Sequence, residues 1–156
     1  MIVPDVNLLL YAYDANSRFH AAAAAWWRAC LSGSEPVGLL CVVVFGFVRI
    51  STSARVFEQP LTPGEAAGHV RAWLAQPIVQ VLEPRDTHID RVLSLLESLG
   101  TGANLVTDAQ IAAFVIESDA VLHTTDADFL RVSGLRWFNP LTGMTSPKAP
   151  TRGGQE

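Results

Sequence analysis

Ile2-Val3-Pro4-Asp5-Val6-Asn7-Leu8-Leu9-Leu10-Tyr11-Ala12-Tyr13 passes from a short apolar run, through an aspartate, into a segment with an apolar face at Leu8, Leu9 and Leu10. The run reads as a buried strand and Val6–Tyr13 as a helix, so Asp5 stands where the strand ends. A second stretch repeats the arrangement. Ala120–Thr124 reads as a strand, Thr125-Asp126-Ala127-Asp128 as a turn, and Phe129–Val132 as a brief helix.

Between these two stretches, strand and helix patterns alternate. Alanine-rich Arg18–Leu31 is helical, because Ala has the highest helix propensity. Trp26 and Trp27 cannot share one face of that helix, so one of them is expected to meet a neighbouring element or a partner. Val37–Val44 reads as strand-like and Phe45–Ser51 as helix. Thr62 and Glu65 have capping-box spacing for a helix that runs to about Gln76, where Pro77 closes it. Ile78–Leu82 alternates as a strand. Asp86–Leu99 places Ile89, Val92, Leu93, Leu96 and Leu99 on one helical stripe. Thr107–Ser118 is a helix with Thr107 as its cap, and Leu135–Phe138 a last strand. This alternation predicts an α/β fold with a mostly parallel sheet.

Composition narrows the classes further. The chain has 156 residues, 49% hydrophobic and 17% charged, which suits one folded domain. From about Leu141 there is little to bury, so residues 1–140 form the predicted domain and 141–156 a disordered tail. Fifteen acidic residues against eleven basic ones give a net charge of −4. Nucleic-acid binding would therefore rest on a local basic patch rather than on bulk charge. Cys30 and Cys41 make no metal-binding pattern and are expected as reduced, mostly buried thiols. No signal peptide is read, and the apolar run Val37–Val48 falls short of the roughly 20 residues a bilayer span needs. A soluble, cytoplasmic protein with no membrane contact is expected.

The informative feature is the placement of the aspartates. Asp5 and Asp126 follow strands, Asp128 lies two residues on, and Asp108 stands in the first turn of its helix. In open α/β sheets, sites form beyond the carboxyl ends of strands where the strand order reverses. Taken singly, Asp5 reads as a helix cap, Asp108 as a partner of the helix dipole, and Asp126 and Asp128 as turn residues. Together they fall at one edge of the sheet. Crowded carboxylates require protons or a cation, and Mg²⁺ accepts such oxygen ligands. A cation held there would support phosphodiester hydrolysis. Glu117, nine residues after Asp108 at about 100° per residue, falls on the opposite helix face. Asp119 precedes its strand and so lies at the other end of the sheet.

The segment Met1-Ile-Val-Pro-Asp5-Val-Asn7-Leu-Leu-Leu-Tyr-Ala12 resembles the opening of PIN-domain nucleases, whose first catalytic aspartate ends strand one in an Asp-x-Asn pattern. Phe47-Val-Arg49-Ile-Ser-Thr52, Thr107-Asp108-Ala109, Thr124-Thr-Asp126-Ala-Asp128-Phe129 and Gly134-Leu-Arg-Trp-Phe-Asn139-Pro140 are similar to the VapC toxin branch, especially its mycobacterial-type members. The resemblance runs in order over residues 1 to about 140. It implies a three-layer α/β/α PIN domain, a homodimer, and a Mg²⁺- or Mn²⁺-dependent endoribonuclease acting on structured RNA of translation, tRNA or ribosomal RNA. It implies a VapB-like antitoxin as partner, and so the toxin of a toxin–antitoxin pair. Carried over by position, Asp5, Asp108 and Asp126 are the metal-holding acids and Asp128 an accessory catalytic one. Asn7 and Thr125 would orient carboxylates. Arg49, Arg55, Arg131 and Arg136 are the candidates for RNA contact.

One position departs from the pattern. Many members carry a glutamate three residues before the helix arginine, and here that residue is Gly46. This opens a second reading, a weak or catalytically silent PIN-fold protein that binds antitoxin or RNA without efficient cleavage. A metal-dependent phosphatase is a third, less well matched because Asn7 stands where such enzymes place a second carboxylate.

Overall fold

The computed structural model of the protein describes residues 1–147. Five short strands, β1 (Ile2–Pro4), β2 (Val37–Leu39), β3 (Val79–Val81), β4 (Val121–His123) and β5 (Trp137–Phe138), form one parallel sheet in the order β3-β2-β1-β4-β5. β1 and β2 are buried throughout, as expected of parallel strands covered on both faces. β3 is an edge strand, and its Gln80 and Val81 are exposed.

Six helices connect the strands: α1 (Val6–Tyr13), α2 (His20–Ser32), α3 (Cys41–Ser51), α4 (Pro63–Leu74), α5 (His88–Leu99) and α6 (Leu105–Glu117). Right-handed crossovers put α1–α4 on one face of the sheet and α5–α6 on the other, giving three α/β/α layers. α1 packs on α2 and α3, and α5 packs on α6.

Under the first layer the aromatic residues converge. Trp73 and Phe47 are fully buried, with ring centroids 4.9 Å apart, and the Trp73 indole N–H donates to the Tyr13 hydroxyl at 2.6 Å. Trp27 stands edge-on to Trp73 at 5.5 Å. Burying side chains of this size contributes about 1.5–3 kcal/mol each. The Trp26 ring lies 5.5 Å from that of Trp27, and its indole N–H donates to His123 Nδ1 of β4 at 2.9 Å. Trp26 thus meets a neighbouring element, the sheet, as expected of one of the pair. The Thr62–Glu65 capping box is present, with both reciprocal bonds made.

Several boundaries differ from the sequence reading. α3 starts at Cys41, so Val42, Val43 and Val44 are helical rather than extended. The β propensity of a valine run is weak and yields to tertiary packing, here of Val43 and Phe47 in the core. α6 starts at Leu105, which puts Thr107 inside the helix rather than at its cap. Cys41 is exposed, not buried, and only Cys30 is interior. Residues 141–147, assigned from sequence to a disordered tail, fold back on β5: Phe138 bridges Thr145, and the Ser146 amide donates to the Trp137 carbonyl at 2.9 Å. The rest of that tail, 148–156, lies outside the described residues. No helix among the described residues is long and apolar enough to cross a membrane.

Candidate active site

The strand order reverses beside β1: β2 lies on one side of it and β4 on the other, each reached by its own crossover. β1 and β4 are paired over Ile2–Val121, Val3–Leu122 and Pro4–His123, and the Asp5 amide continues the ladder by donating to the His123 carbonyl at 2.9 Å. The carboxyl ends of the two strands therefore leave the sheet together. Asp5 from β1 and Asp126 from β4 emerge at this point, and α6 brings Asp108 to the same cleft of about 530 Å³.

Asp5 is 5% exposed and doubly held. Its Oδ1 accepts from the Val6 amide at 2.7 Å, capping α1, and its Oδ2 accepts from the Thr124 hydroxyl at 2.8 Å. Thr124 Oγ1 in turn accepts from the Asp126 amide at 2.9 Å. One buried hydroxyl thus ties the first aspartate to the backbone of the third. Asp126 Oδ1 accepts from the Asp128 amide at 2.9 Å and caps the 3-10 helix Ala127–Arg131. Asp108, Asp126 and Asp128 each offer a carboxylate oxygen within 4.8 Å of the other two. Asp128, read from sequence as accessory, is in this tight group, while Asp5 is outside it.

The electrostatics follow from this crowding. Burial pushes the Asp5 carboxyl up to about 6 despite the bonds from Thr124 and Val6, and the charge of Asp126 adds to the rise. Asp108 is also pushed up to about 6, first by burial and then by Asp126, Asp5 and Asp128. A divalent cation fits such a donor set: every donor is a carboxylate oxygen, three lie together, and two resist ionisation until a positive charge offsets them.

The other sequence candidates divide. Asn7 lines the cleft, as does Arg49 from α3. Thr125 makes no hydrogen bond to a carboxylate among the described residues; the orienting hydroxyl belongs to Thr124, one residue earlier. The strand pleat turns that side chain inward, and the signal for it in the sequence was a hydroxyl residue ending the strand itself. Arg131 is half-exposed, 3.9 Å from Asp128 Oδ1. Arg55 is exposed in the turn after α3 and does not line the cleft. Arg136 is at the opposite end of the sheet, where its guanidinium reaches Asp119 Oδ1 at 2.7 Å and also the Asp119 carbonyl. It is no candidate for this site. Glu117 faces away, as predicted, and accepts from or pairs with His88 at 2.9 Å and Arg91 at 3.3 Å between α5 and α6.

Gly46 does line the cleft. A Cβ on it would sit 3.0 Å from Val6 Cγ2, so a stiff β-branched side chain occupies the approach a larger residue would need. Exposed Phe45 and Cys41 line it too, residues that sequence reading did not single out for the site.

Comparison with known proteins agrees with this architecture. The PIN domain family profile matches residues 2–135. Ribonuclease VapC33 of Mycobacterium tuberculosis (strain ATCC 25618 / H37Rv) is 47% identical over 141 residues, 90% of this chain and 99% of its own length. Ribonuclease VapC37 of the same strain is 39% identical over 140 residues, 90% and 97% of the two chains. Among solved structures, Mycobacterium tuberculosis VapC20, described as a sarcin-ricin loop cleaving toxin, superposes with a TM-score of 0.63 at 16% identity, covering 83% of this chain and 92% of its own. VapBC2 from Rickettsia felis, bound to a DNA fragment from its promoter, gives a TM-score of 0.63 at 16% identity over 88% and 97%. At those identities the two structures are likenesses of fold.

Proposed function

The chain belongs to the PIN-domain family, and on that premise we propose that it is the toxin ribonuclease of a toxin–antitoxin pair, a Mg²⁺- or Mn²⁺-dependent endonuclease that cuts tRNA or ribosomal RNA in the cytoplasm. The observation that carries this reading is the meeting of Asp5, Asp108 and Asp126, from three separate elements, in one cleft at the switch point of the sheet, with a carboxylate oxygen of Asp128 close to those of Asp108 and Asp126.

Asp108, Asp126 and Asp128 offer the closest set of oxygens for an ion, and Asp5, held by Thr124 and Val6, lines the same cleft. These residues would hold a divalent cation, which would offset the carboxylate charge and supply the electrophilic assistance that phosphodiester hydrolysis needs. Asp5 is kept in one orientation by its two hydrogen bonds, so little reorganisation is needed when substrate arrives. Arg49 lines the cleft and would offer a guanidinium to a phosphate oxygen, and Arg131 stands beside Asp128; Arg55 does not line the cleft. The acidic cleft suits a basic side chain from a VapB-like antitoxin equally well. Exposed Ile89 and Leu93 on α5 are an apolar face consistent with a homodimer.

The second reading, binding without efficient cleavage, is favoured by Gly46 alone. The two are separated by expressing the protein without its antitoxin and comparing Asp126→Asn with the parent chain. Growth arrest with cut RNA that disappears in Asp126→Asn supports the nuclease. Arrest that persists in the variant, with intact RNA, supports the binder.

A further inference from the structure

Two side chains that line the same cleft as the aspartates have no role in holding an ion. Phe45 and Arg49 lie one turn apart on α3 and both line the cleft. Phe45 is 67% exposed, an unusual state for a phenylalanine whose helix otherwise buries Val43 and Phe47 completely. Gly46 and Val6 line the same cleft and bring no charge to it.

Resting on the nuclease reading above, we propose that Phe45 is a stacking platform for an unpaired base beside the cut phosphate, with Arg49 holding the phosphate. The three parts match a nucleotide in turn. Carboxylates with a cation meet the scissile phosphate, a guanidinium meets phosphate oxygens, and an exposed ring meets a base face. A base can reach that ring only if it is not stacked in a helix, which selects unpaired RNA. A residue larger than Gly46 would crowd Val6 in that cleft.

The test uses a synthetic RNA oligonucleotide spanning the cut mapped in total RNA, given to the full chain either single-stranded or annealed to its complement. The single strand is cut and the duplex is not. Phe45→Ala lowers kcat/KM on the single strand about tenfold, mainly through KM, as expected for one lost base–aromatic stack present in ground and transition states alike. Phe45→Trp restores it. Removing the base on one side of the cut lowers the parent enzyme by the same factor and Phe45→Ala no further, since the two changes delete one contact. Because Phe45 is exposed, these variants keep the fold, and unchanged thermal unfolding verifies it. The proposal is overturned if duplex and single strand are cut alike, if Phe45→Ala cuts at the parent rate, or if it loses only antitoxin binding. Cutting that survives in Asp5→Asn instead overturns the nuclease reading itself.

Discussion

Thr124 carries more of the site than its single hydroxyl suggests. It donates to Asp5 and accepts from the Asp126 amide, so Thr124→Val keeps the shape and removes both bonds. We expect a loss of about 1–3 kcal/mol in stability, because the buried Asp5 oxygen and the Asp126 amide are left unpaired. Affinity for Mn²⁺, measured by calorimetric titration, should fall roughly 10–100-fold, the usual effect of removing a group that orients a ligand. Unchanged affinity would contradict the role. Asp5 itself makes a prediction about pH. Folded, its carboxyl titrates near 6, against a reference of 3.8. Between those values the folded chain holds a proton that the unfolded chain has released, so stability without metal falls as pH rises through this window. For Asp5 the loss is about 3 kcal/mol, complete above the folded value; Asp108 adds in the same direction but less, being half open to solvent. Denaturant titrations in chelator should show the parent losing stability relative to Asp5→Asn from pH 4 to 7. A flat difference would refute the buried, ionisation-resistant carboxyl. Sequence reading expected the four aspartates at one edge of the sheet and carried the orienting role to Thr125 by position; the hydroxyl bonded to Asp5 is that of Thr124, and which of the two faces inward depends on where the strand's pleat stops.

Elements were legible where their signals were local. The capping box at Thr62 and the strand–aspartate–helix unit at Asp5 each form from neighbours in sequence. α3 was misread at its start because the helical state of Val42–Val44 depends on what it packs against, not on its own residues. That helix also lines the cleft, and its Gly46 bears a prediction. Gly46→Glu alone places a Cβ 3.0 Å from Val6 Cγ2 and should lower stability, since a valine side chain has few alternative rotamers. Combining it with Val6→Ala should relieve the contact and add a carboxylate to the cleft. Mn²⁺ titration of the double variant should then show tighter binding or a second ion. The same stoichiometry and affinity as the parent would mean that position 46 does not face the ion.

At the scale of the whole molecule, the site is a product of topology. None of the four acids is near the others in the chain, except Asp126 and Asp128; only the reversal of strand order beside β1 brings Asp5 and Asp126 to one edge and lets α6 add Asp108. The alternation of strand and helix made that convergence predictable, as did the likeness to PIN-domain nucleases. The pairing of Phe45 and Arg49 in the cleft was not predictable as a unit, because other residues that line it come from elsewhere in the chain. A net charge of −4 is compatible with RNA cleavage only if cations offset the acids where RNA binds, so the account stands on metal. The most direct measurement is to incubate antitoxin-free protein with total RNA in Mg²⁺ or Mn²⁺ and in chelator, and to map new 5′ ends. The account predicts discrete cuts in one tRNA or ribosomal RNA that vanish with chelator and in Asp5→Asn. Folded protein that makes no cut with either metal, or that cuts equally well in chelator, would contradict it.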